Sequence, residues 1–70
     1  MVSLGRQALL EAFRARPQDT NIQVQLGNTL IQTGNLTTAA KMFRRALRLE
    51  PSNLDAAAGL GTVWEREGRP

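Results

Sequence analysis

The sequence predicts an all-α protein of four helices arranged as antiparallel helix-turn-helix repeats. Two observations carry that expectation. The chain repeats itself: a shift of 34 residues superposes Leu26-Gly27 on Leu60-Gly61, Gly34 on Gly68, Ala12 on Ala46, Arg14 on Arg48 and Pro17 on Pro51. Within one period, Thr20 to Asn53, two segments with apolar residues at helical spacing are divided by Gly34-Asn35 and closed by Pro51. A fixed period of roughly 20 to 50 residues is the mark of stacked repeats.

The helices follow in order. Ser3 is a reasonable N-cap for a first helix from Leu4 to Arg16, which carries Leu9, Ala12 and Phe13 at helical spacing before Pro17 forces the chain out. Asp19 to Asn21 starts the second helix, whose stripe is Ile22, Leu26, Leu30 and Thr33, flanked by Val24 and Ile31. Gly27 in its middle costs about 1 kcal/mol relative to Ala. A close helix approach would compensate, and small Ala39 and Ala46 are the expected counterparts. Gly34-Asn35 ends this helix through a left-handed C-cap. Thr37 is then the expected cap of a third helix with Ala39, Phe43, Ala46, Leu47 and Leu49 inward and Lys41, Arg44, Arg45 and Arg48 outward. Pro51 stops it. Asn53 caps a fourth helix, Asp55 suits the positive end of its dipole, and Leu60, Val63 and Trp64 point inward until Gly68 ends it.

The residues Leu26, Gly27, Leu30, Gly34, Ala39, Phe43, Ala46 and Pro51 are spaced as in the tetratricopeptide repeat, which the whole chain resembles. In one slot it departs, with Gln23 and then Ala57 where that family usually has a large aromatic. The resemblance implies a right-handed α-solenoid. It divides the chain into a second helix of a repeat (1–17), a complete repeat (20–53) and a first helix of a repeat (54–70).

One unit and two halves leave apolar faces to cover, since a small chain is marginal and stacked repeats stabilise one another. With no Cys and no His, neither a disulfide nor a structural zinc site staples the fold. Leu60, Val63 and Trp64 at one end, with Leu9 and Phe13 at the other, are therefore expected to be left open. The chain is read as a segment of a longer solenoid that self-associates when isolated, as a closed dimer or a head-to-tail homo-oligomer.

Composition excludes other classes. Without His, Cys or Tyr, with no carboxylate pair at acid-base or metal-ligand spacing and no phosphate-cradling glycine loop, the chain is read as no enzyme, with no cofactor, metal or small-molecule substrate. No apolar run is long enough for a membrane span, and Met1 to Leu10 lacks the continuous apolar core of a signal peptide. The compartment is not fixed by the sequence, with the cytoplasm favoured. The net charge of +3 rests on Arg, a bias that points to coding composition and a bacterial source rather than to a ligand.

The resemblance implies a concave face that binds a partner peptide or helix, or serves as a scaffold. Carried over, that face comprises Asn21, Val24, Gln25, Asn28, Ile31 and Gln32 of the second helix and Asp55, Ala58, Thr62, Glu65 and Arg66 of the fourth. Asn28 stands out because an amide can both donate to and accept from a peptide backbone. A clamp for acidic C-termini is not expected, because Val24 stands where the first basic residue belongs and Gly59 where a second Asn belongs. The alternative contact is the basic stripe Lys41, Arg44, Arg45 and Arg48, which could meet nucleic acid or an anionic membrane. No aromatics interleave with it and the first helix does not continue it, so a solvated face is the better reading.

Overall fold

Each helix begins and ends where local hydrogen bonding dictates. The computed structural model describes residues 4–68, with side chains from residue 7 onward, and contains α1 (Leu4–Ala15), α2 (Thr20–Gln32), α3 (Leu36–Leu49) and α4 (Leu54–Arg66). Ser3, the expected cap of α1, lies outside the described residues. At the start of α2 the Asp19 carboxylate accepts from the backbone N–H of Asn21 (3.0 Å) and Ile22 (3.3 Å). Asn53 does the same for α4, its Oδ1 accepting from Ala56 N–H at 2.9 Å. These side chains satisfy N–H groups that the first helical turn leaves without partners.

The turn between α2 and α3 explains one correction. Gly34 takes φ +82°, its N–H donates to Ile31 O at 3.0 Å, and Asn35 N–H donates to Leu30 O at 2.8 Å. This pair of bonds is a Schellman motif, and it delivers the chain straight into a new helix at Leu36. Thr37, expected as the cap, is instead an exposed residue of the first turn. Asn35 takes the cap position without a side-chain cap bond and donates from Nδ2 to Thr33 Oγ1 at 2.9 Å.

The helices form a slab of 34 × 26 × 15 Å in which α2 packs against α1, α3 and α4, and α3 also packs against α4. Phe43 is the centre of the core and fully buried. A Cβ placed on Gly27 of α2 would stand 2.7 Å from Phe43 Cζ, and one on Gly59 of α4 would stand closer still. The two glycines thus let one ring fill the space between two helix backbones. The counterpart of Gly27 is therefore Phe43, not the small Ala39 and Ala46, which are buried elsewhere in the same core. Around the ring lie Val24, Leu26, Leu30, Ile31, Ala40, Ala56, Leu60 and Val63, with Leu9, Leu10 and Phe13 of α1 packed half-buried against them.

Several expectations about exposure change. Leu60 and Val63 are buried within the single chain, so of the α4 residues expected to be open only Trp64 is, at 40%. Leu49, expected inside, is 46% exposed in the last turn of α3. Arg45, expected to face out, is half-buried with its guanidinium 5.4 Å from the centre of the Phe13 ring, a cation–π contact.

Gln23, in the slot where an aromatic was expected, is fully buried. Its Nε2 donates to Pro17 O in the α1–α2 turn, while its Oε1 has no partner among the described residues. A second polar tie crosses the repeat: Glu50 Oε1 accepts from Thr20 Oγ1 (2.8 Å) and from Asn53 Nδ2 (3.0 Å). One carboxylate thereby joins the start of α2 to the start of α4.

Candidate partner-binding groove

Two helices of like direction, α2 and α4, stand side by side with α3 beneath them, and an open groove runs between them. It has a volume of about 470 Å³ and is lined by Asn21, Val24, Gln25 and Asn28 from α2 and by Asp55, Ala58, Gly59 and Thr62 from α4. Gly59 lies at its floor as a buried residue, and the space of its absent side chain is taken from the core side by the Phe43 ring.

Seven of the residues expected on this face line the groove: Asn21, Val24, Gln25 and Asn28, with Asp55, Ala58 and Thr62. The others do not. Ile31 is buried in the core at 7% exposure, and Gln32, Glu65 and Arg66 are exposed beyond the groove's end. Val24 contributes only an edge, being 9% exposed. Gly59 also lines the groove, a residue that the resemblance marks only as a missing Asn. Its sequence signal was the run of small residues Ala56-Ala57-Ala58-Gly59, which allows a helix to approach a large neighbour.

The α2 wall is a ladder of amides. Asn21, Gln25 and Asn28 follow at i, i+4 and i+7, one stripe of a helix. All three are exposed, and among the described residues none of their side-chain amides has a protein partner. Each offers two N–H donors and one carbonyl acceptor. On the α4 wall Thr62 Oγ1 donates to Ala58 O at 3.1 Å, leaving its oxygen free to accept. Asp55 is the one charged group in the lining. The site can hold polar backbone along α2 and place a small or apolar side chain against Ala58 of α4.

The basic stripe lies on another surface. Lys41, Arg44, Arg45 and Arg48 line a shallow depression on α3, and none forms an ion pair among the described residues. Nothing about it resembles a metal or catalytic centre, and among the described residues no cluster of acidic, His or Cys side chains could hold a metal ion. No helix among them is long and apolar enough to cross a membrane.

The tetratricopeptide repeat profile matches residues 20–63, from the first residue of α2 into α4. The chain belongs to the tetratricopeptide repeat family. It is similar to the type IV pilus assembly protein PilF of Pseudomonas aeruginosa, 35% identical over 69 residues that are 99% of this chain and 27% of PilF. It is also similar to tetratricopeptide repeat protein 21B of Mus musculus, 40% identical over 55 residues, 77% of this chain and 4% of that protein. The chain thus spans about a quarter or less of the length of these relatives. No solved structure matches it. Tetratricopeptide repeats are generally non-catalytic scaffolds that act through protein partners, and the four helices pack in the antiparallel helix-turn-helix manner of that family.

Proposed function

We propose that this chain is a recognition segment that holds an extended or helical stretch of a partner protein in the groove between α2 and α4. The observation that carries the reading is the unpartnered amide ladder Asn21, Gln25 and Asn28 facing a glycine-floored wall. Amides bind main chain whatever its sequence, so side-chain choice falls to the rest of the lining. Asp55 disfavours an acidic segment there, and the small, exposed Ala58 of the α4 wall leaves room for an apolar residue. Buried polar contacts of this kind confer orientation more than raw affinity. PilF is named for assembly of the type IV pilus, which adds a setting: the segment would serve the building of a multi-protein assembly.

The test is a nuclear magnetic resonance titration of the labelled chain with a peptide selected from a displayed random library. Shifts are expected at Asn21, Gln25, Asn28 and Gly59. Asn28→Ala is expected to weaken binding about tenfold, on the order of 1.4 kcal/mol for a hydrogen-bonded amide lost from an interface. The pair Arg44→Glu/Arg48→Glu, both exposed on α3, is expected to leave it unchanged. The reverse pattern, with binding that fades steeply as salt rises, would transfer the function to the basic face of α3.

A further inference from the structure

The face of α4 that turns away from the core is built like a face of α2 that is covered. Under the shift of 34 residues, Leu54, Ala57, Gly61 and Trp64 correspond to Thr20, Gln23, Gly27 and Leu30. All four α2 positions are buried. Their α4 counterparts are open: Leu54 is 81% exposed, Ala57 is exposed, Trp64 is 40% exposed, and a Cβ on Gly61 would meet nothing within 4 Å. What fills the space above Gly27 is Phe43 of α3.

The chain also contains a second helix of the α3 type. Under the same shift α1 corresponds to α3, with Leu9 at the place of Phe43, Ala12 at that of Ala46 and Phe13 at that of Leu47. Phe43 and Ala46 are fully buried, whereas Leu9 and Ala12 are only half-buried. The unfilled positions on α1 are the ones that in α3 close the core. Both unfinished faces therefore match each other in register.

We propose that α4 of one molecule is covered by α1 of a second copy of this chain, reproducing between molecules the α2–α3 packing found within one. Leu9 of the second copy seats over Gly61 beside Trp64, as Phe43 seats over Gly27 beside Leu30. Charge agrees with this register. The contact equivalent to Thr20 with Glu50 brings Arg16 of the second copy to the first turn of α4, where Asp55 is exposed. The surfaces joined are different on the two molecules, so the contact is head-to-tail and leaves a free α1 at one end and a free α4 at the other. Of the groove lining it involves only Asp55, so binding lost on Asn28→Ala would leave it standing.

Gly61→Glu is the clean probe, since its side chain enters open space and replaces a helix-weakening glycine, so the single chain keeps its fold. Light scattering during gel filtration, from micromolar to millimolar, should show the unaltered chain exceeding twice its 7.7 kDa mass. Trp64, the sole tryptophan, should shift its emission to the blue over the same range. Gly61→Glu should stay a monomer with red emission throughout. In excess over the unaltered chain it should end growth at two chains, because its α1 still covers a normal α4. A monomer at all concentrations, or a Gly61→Glu variant that associates like the parent, overturns the proposal. So does a variant that never joins the unaltered chain, which is the outcome of two-fold pairing of like ends.

Discussion

Replacing a mid-helix glycine with alanine should have opposite effects at two positions that the repeat makes equivalent. At Gly61 a Cβ meets nothing within 4 Å. Gly61→Ala should therefore gain the helix propensity alone, about 0.8 to 1 kcal/mol. At Gly27 the same Cβ would stand 2.7 to 3.0 Å from three ring atoms of Phe43, which is fully buried and whose Cε1 and Cζ also stand against Gly59. The ring has no room to retreat, so overpacking of roughly 1 to 3 kcal/mol works against the propensity gain. The net loss for Gly27→Ala therefore runs from near zero to about 2 kcal/mol. In a chain of this size about 1 kcal/mol moves Tm by roughly 4 to 8 °C. Thermal unfolding followed by circular dichroism at micromolar concentration, where association is minimal, should thus separate the two variants by about 4 °C or more. A second variant tests the cause: Phe43→Leu shortens the ring, so Gly27→Ala should cost less in that background than alone. Equal stabilisation by both alanines, or strictly additive effects of Gly27→Ala and Phe43→Leu, would refute the account of the ring between two glycines.

The other predictions concern helix starts and the buried amide. Asp19→Ala removes an acceptor from two N–H groups and should cost about 1 kcal/mol. Asn35→Ala removes no cap bond and should cost a few tenths at most on the same scale, measured for both as midpoint shifts in urea. Gln23→Ala empties a fully buried site and deprives Pro17 O of its donor. Its expected cost is about 2 to 4 kcal/mol, seen as lost thermal stability and as faster hydrogen exchange in the first turn of α2.

The parts of the fold legible in the sequence are those governed by local chemistry. Gly34 and Gly68 take positive φ where a left-handed turn ends a helix, and Asp19 and Asn53 cap the helices they precede. The 34-residue repeat supplied the pairing of helices. What was not legible depends on which side of a helix is covered by a neighbour. Ile31 follows Asn28 by three residues and so shares the stripe assigned to the groove, yet the core closes over it. Leu60 and Val63 were expected open because a repeat lacks its second helix. They are buried because α3 already reaches α4, and the open face is the one carrying Leu54, Ala57, Gly61 and Trp64. Thr37 has the chemistry of a cap, but the bonds of the Schellman turn start the helix before it. Glu50 gave no local signal at all, since its partners Thr20 and Asn53 come together only through packing.

Core and groove in this chain are one physical object. Gly59 is at once the floor of the groove and a wall of the Phe43 site, so the ring fixes the height of the surface on which a partner segment would lie. Gly27 holds the same ring from the α2 side, and α2 also carries the amide ladder. The separation of the two groove walls therefore depends on the room that two bare backbones give the tip of one phenyl ring. Interiors packed this tightly transmit small displacements rather than absorb them. A pattern of Gly, Phe and Gly on three successive helices thus specifies more than stability: it sets the spacing between Asn28 and Thr62, residues that it never touches. For this reason the glycines of a helical repeat are better read as statements about distance between helices than as weak points within them.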